Sequence, residues 1–392
     1  MTLPLHTNYG GVLQAFALQT VLERMGHTVE IIQPDRILPE PEGLECIRKI
    51  LTRSLRKHLP GQRDVELFRE RRINREFPTV GREFVRFFSK YLNIRYISSP
   101  DDIRPDDYDA FVVGSDQVWR PRYNSELMRS YLDFTWEDRG RSGRGRAAGW
   151  DVRRIAYAVS FGSDVWEYSA RQTETASVLA RRFNALSFRE KSGEDMARRF
   201  LGAEAVAVLD PTMLLQTGDY LPLLGNTAAV PDGGVFEYIL DRTPEGTEIV
   251  AEIERGIAGP QSPGNVRVNR FLASDPRGRG DIALRIQPSV EEWIAGIAGS
   301  SFVVTDSFHA CVFAILFHKR FAVLGNEGRG LSRIEWLLGQ YGLQDRLVLV
   351  GPCGTEEGLQ RRLSAAVDWN DVDARLAGLR TGSMSFLKNS FI

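Results

Sequence analysis

Lysine is scarce in this chain of 392 residues: of 50 basic residues only six are lysine, and 51 acidic residues leave a formal charge of −1. That balance rules against a global basic field of the kind that holds nucleic acid by its phosphates. Cysteine is scarcer still. Cys46, Cys311 and Cys353 are odd in number and far apart, with no Cys-x-x-Cys and no pairing with histidine at zinc spacing. Neither a disulfide framework nor a structural zinc is therefore expected. Long apolar runs are missing too. The longest, Ala310 to Phe317, falls well short of a bilayer's thickness, and Met1 opens no charged-then-apolar leader. The expectation is a cytoplasmic chain in a reducing compartment. Walker loops and Gly-x-Ser-x-Gly elbows are lacking, as is any recurring His, Cys, Asp or Glu cluster at ligand spacing, so neither metal nor cofactor is expected.

What is present is ordinary globular composition, 43% hydrophobic and 26% charged, with 36 Gly and 18 Pro. Length points to two domains. Short β-branched or apolar runs alternate with helical segments, the pattern of parallel sheets covered by helices. The expected fold class is α/β, with two Rossmann-like doubly wound domains facing a cleft. The boundaries fall at 1–220, with a helical insertion at about 37–92, and at 221–392, with helices at the C-terminus. Strands are predicted at Thr28–Ile32, Ala110–Val113, Ile155–Val159, Ala185–Phe188, Ala205–Leu209, Val235–Leu240, Ser301–Thr305 and Arg320–Leu324. The first long helix is predicted over Val12–Met25, and Arg139–Gly149 reads as an exposed loop.

Chemistry concentrates where strands hand over to helices, because open α/β sheets hold ligands at the carboxyl ends of their strands. Thr305-Asp306-Ser307-Phe308-His309 is such a place. Asp306 and Ser307 are natural N-caps and place His309 in the first helical turn, where the helix dipole favours a neutral imidazole able to accept a proton. The free N–H groups there suit a phosphate or carboxylate. A histidine that merely caps the helix is the plainer alternative. Asn8-Tyr9-Gly10-Gly11 offers a second anion cradle, or simply a tight turn. Ser115 and Asp116, in the turn after Val113, line the cleft if the sheet is as read. Arg189, just past a strand end, could grip an anion bidentately or sit in a solvated salt bridge, and Arg329 and Arg333 could reach the cleft or cap the helix that follows.

These stretches resemble the polysaccharide pyruvyl transferase family. The resemblance rests on Asn8 to Gly11 with Leu13-Gln14-Ala15, Tyr108-Asp109 through Trp119, Ser187-Phe188-Arg189-Glu190-Lys191, Asp210-Pro211-Thr212, Thr305 to His309, and Arg329-Gly330 with Ser332-Arg333. It implies transfer of pyruvate from phosphoenolpyruvate to sugar hydroxyls, often as a cyclic ketal on a surface or exported polysaccharide. It also implies a fold like the two-domain GT-B glycosyltransferases. By the same resemblance His309 matches the family's acid/base and Arg189 its anion-binding arginine. Two departures stand out. Only Met1 to Thr7 precede Asn8, where the family places a complete first strand. Ala310-Cys311 replace a Gly and a small hydroxyl residue, a change expected to alter packing and not mechanism.

The partners expected are phosphoenolpyruvate and a saccharide acceptor that could be lipid-linked. The alternatives are a nucleotide-sugar glycosyltransferase of the same architecture and a non-catalytic glycan-pathway binding protein. The Arg-rich stretch from Arg48 to Arg86 could make peripheral contact with anionic lipid, with a solvated helical face as the default.

Overall fold

The computed structural model describes residues 1–38, 40–41, 43–58, 65–136, 151–225, 233–258, 267–271, 275–325, 330–350 and 358–392. Arg329 and the loop expected at Arg139–Gly149 lie outside them. Two wholly parallel sheets carry the fold. The first holds β3 (Ala110–Val113), β4 (Arg153–Val159), β5 (Ala185–Phe188) and β6 (Val206–Ala207) in that spatial order. The second contains β7 (Val235–Tyr238), β8 (Val268–Arg270), β9 (Phe302–Thr305), β10 (Arg320–Gly325) and β11 (Leu347–Leu349), in the order β11-β10-β9-β7-β8. Strand order reverses between β7 and β9. That is the switch point of a doubly wound sheet, where flanking connections leave to opposite faces and open a crevice.

The central strands β4, β5, β7, β9 and β10 read well because most of their residues are buried on both faces. Phe302 to Thr305 are all buried, and a continuous apolar run is the mark of a covered parallel strand. The first strand departs from expectation: β1 is Ile31–Pro34, and it pairs with an unpredicted β2, Ile94–Ile97, in a separate two-stranded sheet. The segment before Asn8 stitches this sheet to the larger one. The Met1 amino group donates to the Val112 carbonyl at 2.6 Å, and the Leu5 N–H donates to Gln33 Oε1 at 2.7 Å. Between β1 and β2 lie the helices Gly43–Lys57, Arg69–Val80 and Arg82–Tyr91.

The first helix is Tyr9–Arg24, three residues longer at its start than the apolar pattern suggests, because Asn8 supplies the cap. It is buried almost all round and shares one core with the helices Val290–Gly299 and Phe308–Leu316 of the second half. The last helix, Trp369–Asn389, returns to the first half, where Ser383 Oγ accepts from the Leu209 N–H at 2.9 Å and Arg380 donates to the Met213 and Leu215 carbonyls. The two halves are thus bound by apolar packing as well as by the connecting chain. Among the described residues no helix is long and apolar enough to cross a membrane.

Candidate functional site

Ser307 caps the helix Phe308–Leu316, its Oγ accepting from the Ala310 N–H at 3.4 Å, so His309 stands in the first turn as the cap spacing requires. The helix follows β9 directly, and β9 is a strand of the switch point. Asp306 does something other than face a ligand: its two carboxylate oxygens accept from the backbone N–H groups of Leu240 (2.7 Å) and Asp241 (2.8 Å). It ties down the exit of β7. Ala310 and Cys311 are fully buried.

The cradle expected at Asn8 to Gly11 is also reorganised. Asn8 caps the first helix, accepting from the Gly11 N–H at 3.2 Å. Tyr9, expected to bind substrate, lies in the core between the halves. Its ring stacks on Trp293 at 5.6 Å, and its hydroxyl donates to the Pro288 carbonyl at 2.8 Å. Gly10 lies against the catalytic candidate itself. A Cβ built on Gly10 would stand 2.0 Å from His309 Nδ1, well inside contact distance, so the absence of a side chain is what admits the ring. The N-terminal turns of two helices therefore meet at Gly10 and His309, and both present the positive ends of their dipoles there. Gly10→Ala is expected to push the imidazole aside by about 1 Å and to cost about a hundredfold in turnover. Measuring kcat beside a thermal melt checks this, and unchanged turnover would show that the ring does not depend on Gly10.

The other edge of the site is built on the first sheet. Its centre is Asp210, just past β6. One oxygen, Oδ2, lies 3.2 Å from Arg189 Nη1, 3.3 Å from Ser115 Oγ and 3.5 Å from His309 Nε2. The other, Oδ1, accepts from the Thr212 hydroxyl at 2.7 Å and its N–H at 3.0 Å. At 3.5 Å the imidazole contact is longer than a normal hydrogen bond, and the described residues offer Nε2 no other hydrogen-bond partner. Nε2 is thus buried beside a carboxylate with its hydrogen-bonding capacity unspent. His309 and Arg189 share one oxygen of one residue, which brings together two side chains 120 positions apart in the sequence.

Arg189 is almost wholly buried, its side chain 1% exposed. Nη2 donates to Asp116 Oδ1 at 3.0 Å, and Nε lies 3.7 Å from Glu190 Oε2. Its terminal nitrogens are held by carboxylates, so it serves first to hold Asp116 and Asp210 in place. Asp116 adopts a left-handed backbone with φ 69°, a conformation aspartate tolerates better than most residues. Ser115 receives Gln14 from the first helix: its N–H donates to Gln14 Oε1 at 2.7 Å, and its Oγ donates to the Ala158 carbonyl at 2.9 Å. The Phe308 ring lies under two guanidiniums, with Arg189 Cζ 4.7 Å and Arg333 Cζ 5.9 Å from its centre.

Burial and charge pull against each other in this cluster. Burial alone would push Asp210 up, but the imidazole of His309, the Arg189 guanidinium and the Thr212 hydroxyl hold its carboxyl well below the usual range. Asp116 is likewise held down, against its burial, by Arg189, His309 and Arg333. Glu190 goes the other way: burial outweighs Arg189, Arg333 and the Ser160 hydroxyl, and raises it. Arg333 is lowered to about 10 by burial first and by Arg189 second. The site is a desolvated cluster of alternating charge in which one carboxyl differs from its neighbours.

The structure therefore gathers His309, Arg189, Ser115, Asp116 and Arg333 with Gly10, Gly11 and Asn8 beside them, and it assigns Tyr9 and Asp306 to packing and anchoring. Asp210 and Glu190 are absent from the residue-by-residue reading. Their signals were available: Asp210 follows β6 and precedes Pro211, and Glu190 follows the arginine already singled out.

A similarity in overall fold is found to three solved structures. They are the spinosyn forosaminyltransferase SpnP (10% identity, TM-score 0.41, covering 98% of this chain and 94% of that one), a glycotransferase of kitacinnamycin (13%, 0.39, 98% and 94%) and the apo UGT2 of Phytolacca americana (10%, 0.40, 99% and 98%). No curated protein matches the sequence. The profile of the polysaccharide pyruvyl transferase family matches residues 8–328, a span that opens at the Asn8 cap and takes in Ser115, Asp116, Arg189, Asp210 and His309, and the chain belongs to that family.

Proposed function

We propose that this transferase moves pyruvate from phosphoenolpyruvate to a saccharide hydroxyl, and that His309 is its acid/base. The observation that carries the reading is the His309 imidazole at the β9 switch point, with Nε2 unspent and 3.5 Å from the Asp210 carboxylate. A carboxylate at that distance orients the ring, and a positioned histidine is the side chain most often used as a general acid or base. Phosphoenolpyruvate carries a phosphate and a carboxylate. The converging helix N-termini and the Arg333 guanidinium supply positive potential for them, while Arg189 keeps the two aspartates from turning on the donor.

Chemically, the acceptor oxygen bonds to the enol carbon as His309 removes its proton, and a proton is added to the methylene carbon. Among the cluster's described carboxyls Glu190 is the one held up, so it is the group suited to deliver that proton. A neighbouring hydroxyl then displaces phosphate and closes the ketal: its proton restores Glu190, and the His309 imidazolium gives its proton to the departing phosphate. The reading is tested by incubating the enzyme with phosphoenolpyruvate and candidate glycan intermediates and following phosphate release and product mass. A gain of the pyruvyl mass is expected, together with thermal stabilisation by phosphoenolpyruvate. Stabilisation by nucleotide sugars and none by phosphoenolpyruvate would instead favour glycosyl transfer.

A further inference from the structure

The helix Gly43–Lys57 contains no buried residue. Four of its five large apolar side chains are exposed, Leu44 to 85%, Leu55 to 72%, Leu51 to 60% and Ile47 to 56%, and Ile50 alone is half-buried. Scattered apolar residues on a surface need no explanation. These four are not scattered, because spacings of three, four and four place them in a single stripe along one side of a helix. The opposite side is fastened to the protein. Arg53 Nη1 donates to Glu70 Oε2 at 2.7 Å and to the Leu67 carbonyl at 2.9 Å. The stripe is thus held facing outward by an ion pair at its back.

What surrounds the stripe is basic. The helix carries Arg48, Lys49, Arg53, Arg56 and Lys57 against a single acid, Glu45. Lys49 is paired with that acid at 2.9 Å, while Arg48, Arg56 and Lys57 are exposed. On the helical wheel Arg48 borders the leucines directly, and Arg56 lies beyond it on the same flank. An apolar stripe edged by arginine is the pattern of a helix that lies in the plane of a membrane surface, its leucines among the acyl chains and its cations among the headgroups. A second copy of the chain is a poor occupant, since the same cations would face one another across the contact. An anionic bilayer matches both the apolar area and the charge.

We infer that Gly43–Lys57 is an interfacial anchor that holds the protein on an anionic membrane surface, independently of the chemistry at His309. The test uses the full chain and sedimentation with vesicles. One set is pure phosphatidylcholine; the other is phosphatidylcholine and phosphatidylglycerol in equal parts. Wild type is expected to sediment with the anionic vesicles only, and less well as salt is raised. Leu51→Glu with Leu55→Glu is expected to weaken binding by about tenfold or more. Arg48→Gln with Arg56→Gln is expected to weaken it by about fivefold for each charge removed. All these residues are exposed, so both double variants should keep the wild-type circular dichroism and melting point. Failure of wild type to bind anionic vesicles, or unchanged binding by the leucine variant, overturns the inference. So does a wild-type dimer in sedimentation velocity that the leucine variant splits, which would assign the stripe to a second copy.

Discussion

His309→Ala is expected to lower pyruvyl turnover about 10²–10⁴-fold, the usual contribution of a positioned acid/base, while the protein stays folded. The fold should survive because Asp210 keeps Arg189, Ser115 and Thr212 when the imidazole is gone. His309→Gln separates shape from proton transfer, since it fills much of the space and cannot cycle a proton. If His309 only caps or packs, glutamine should restore activity. If it moves protons, both variants should be equally poor and the pH dependence of the remaining turnover should flatten. Near-normal turnover by the alanine variant would remove His309 from the chemistry and leave the cluster as a buried charge network alone.

The largest effect on stability is expected at Asp210. Removing one member of a buried charge pair costs about 3–5 kcal/mol. Asp210→Ala takes one carboxylate from Arg189, which keeps Asp116, and strips the Thr212 hydroxyl and N–H of their acceptor, so a cost of about 3 kcal/mol, at the lower end of that range, is expected. Because Asp210 is held below its ordinary value in the folded state, its contribution is fully present above the unfolded carboxyl's value of about 4 and is lost as pH falls below that. The variant's deficit in urea unfolding should therefore be constant between pH 7 and pH 5 and shrink under more acid conditions. A deficit below about 1 kcal/mol, the worth of an ordinary neutral hydrogen bond, would mean that Asp210 is not the charge centre of the site.

Much of the fold was legible because buried parallel strands are written as unbroken apolar runs. β3, β5, β9 and β10 fall within a residue of the runs that predicted them. The cap at Ser307 was legible for the same local reason, since one hydroxyl and its offset to the helix suffice. β2 and β11 were not legible: β2 holds Arg95 and no fully buried residue, so no apolar run marks it, and β11 is only three residues long. Tyr9 looked like part of an anion cradle because the glycines after it suggested an open turn. Its ring is instead claimed by Trp293, Phe84 and Phe271, two of which come from the other half of the chain.

By itself the sequence determined the α/β class, the parallel strands, and the placing of His309 in a first helical turn after a buried strand, all properties set by neighbours a few residues apart. Only the tertiary structure decided that Asp210 joins His309 to Arg189, that Gly10 makes room for the imidazole, and that Asp306 anchors a loop. Such contacts depend on which strand ends and helix starts are brought face to face, and chain separation says nothing of distance once two halves share a core.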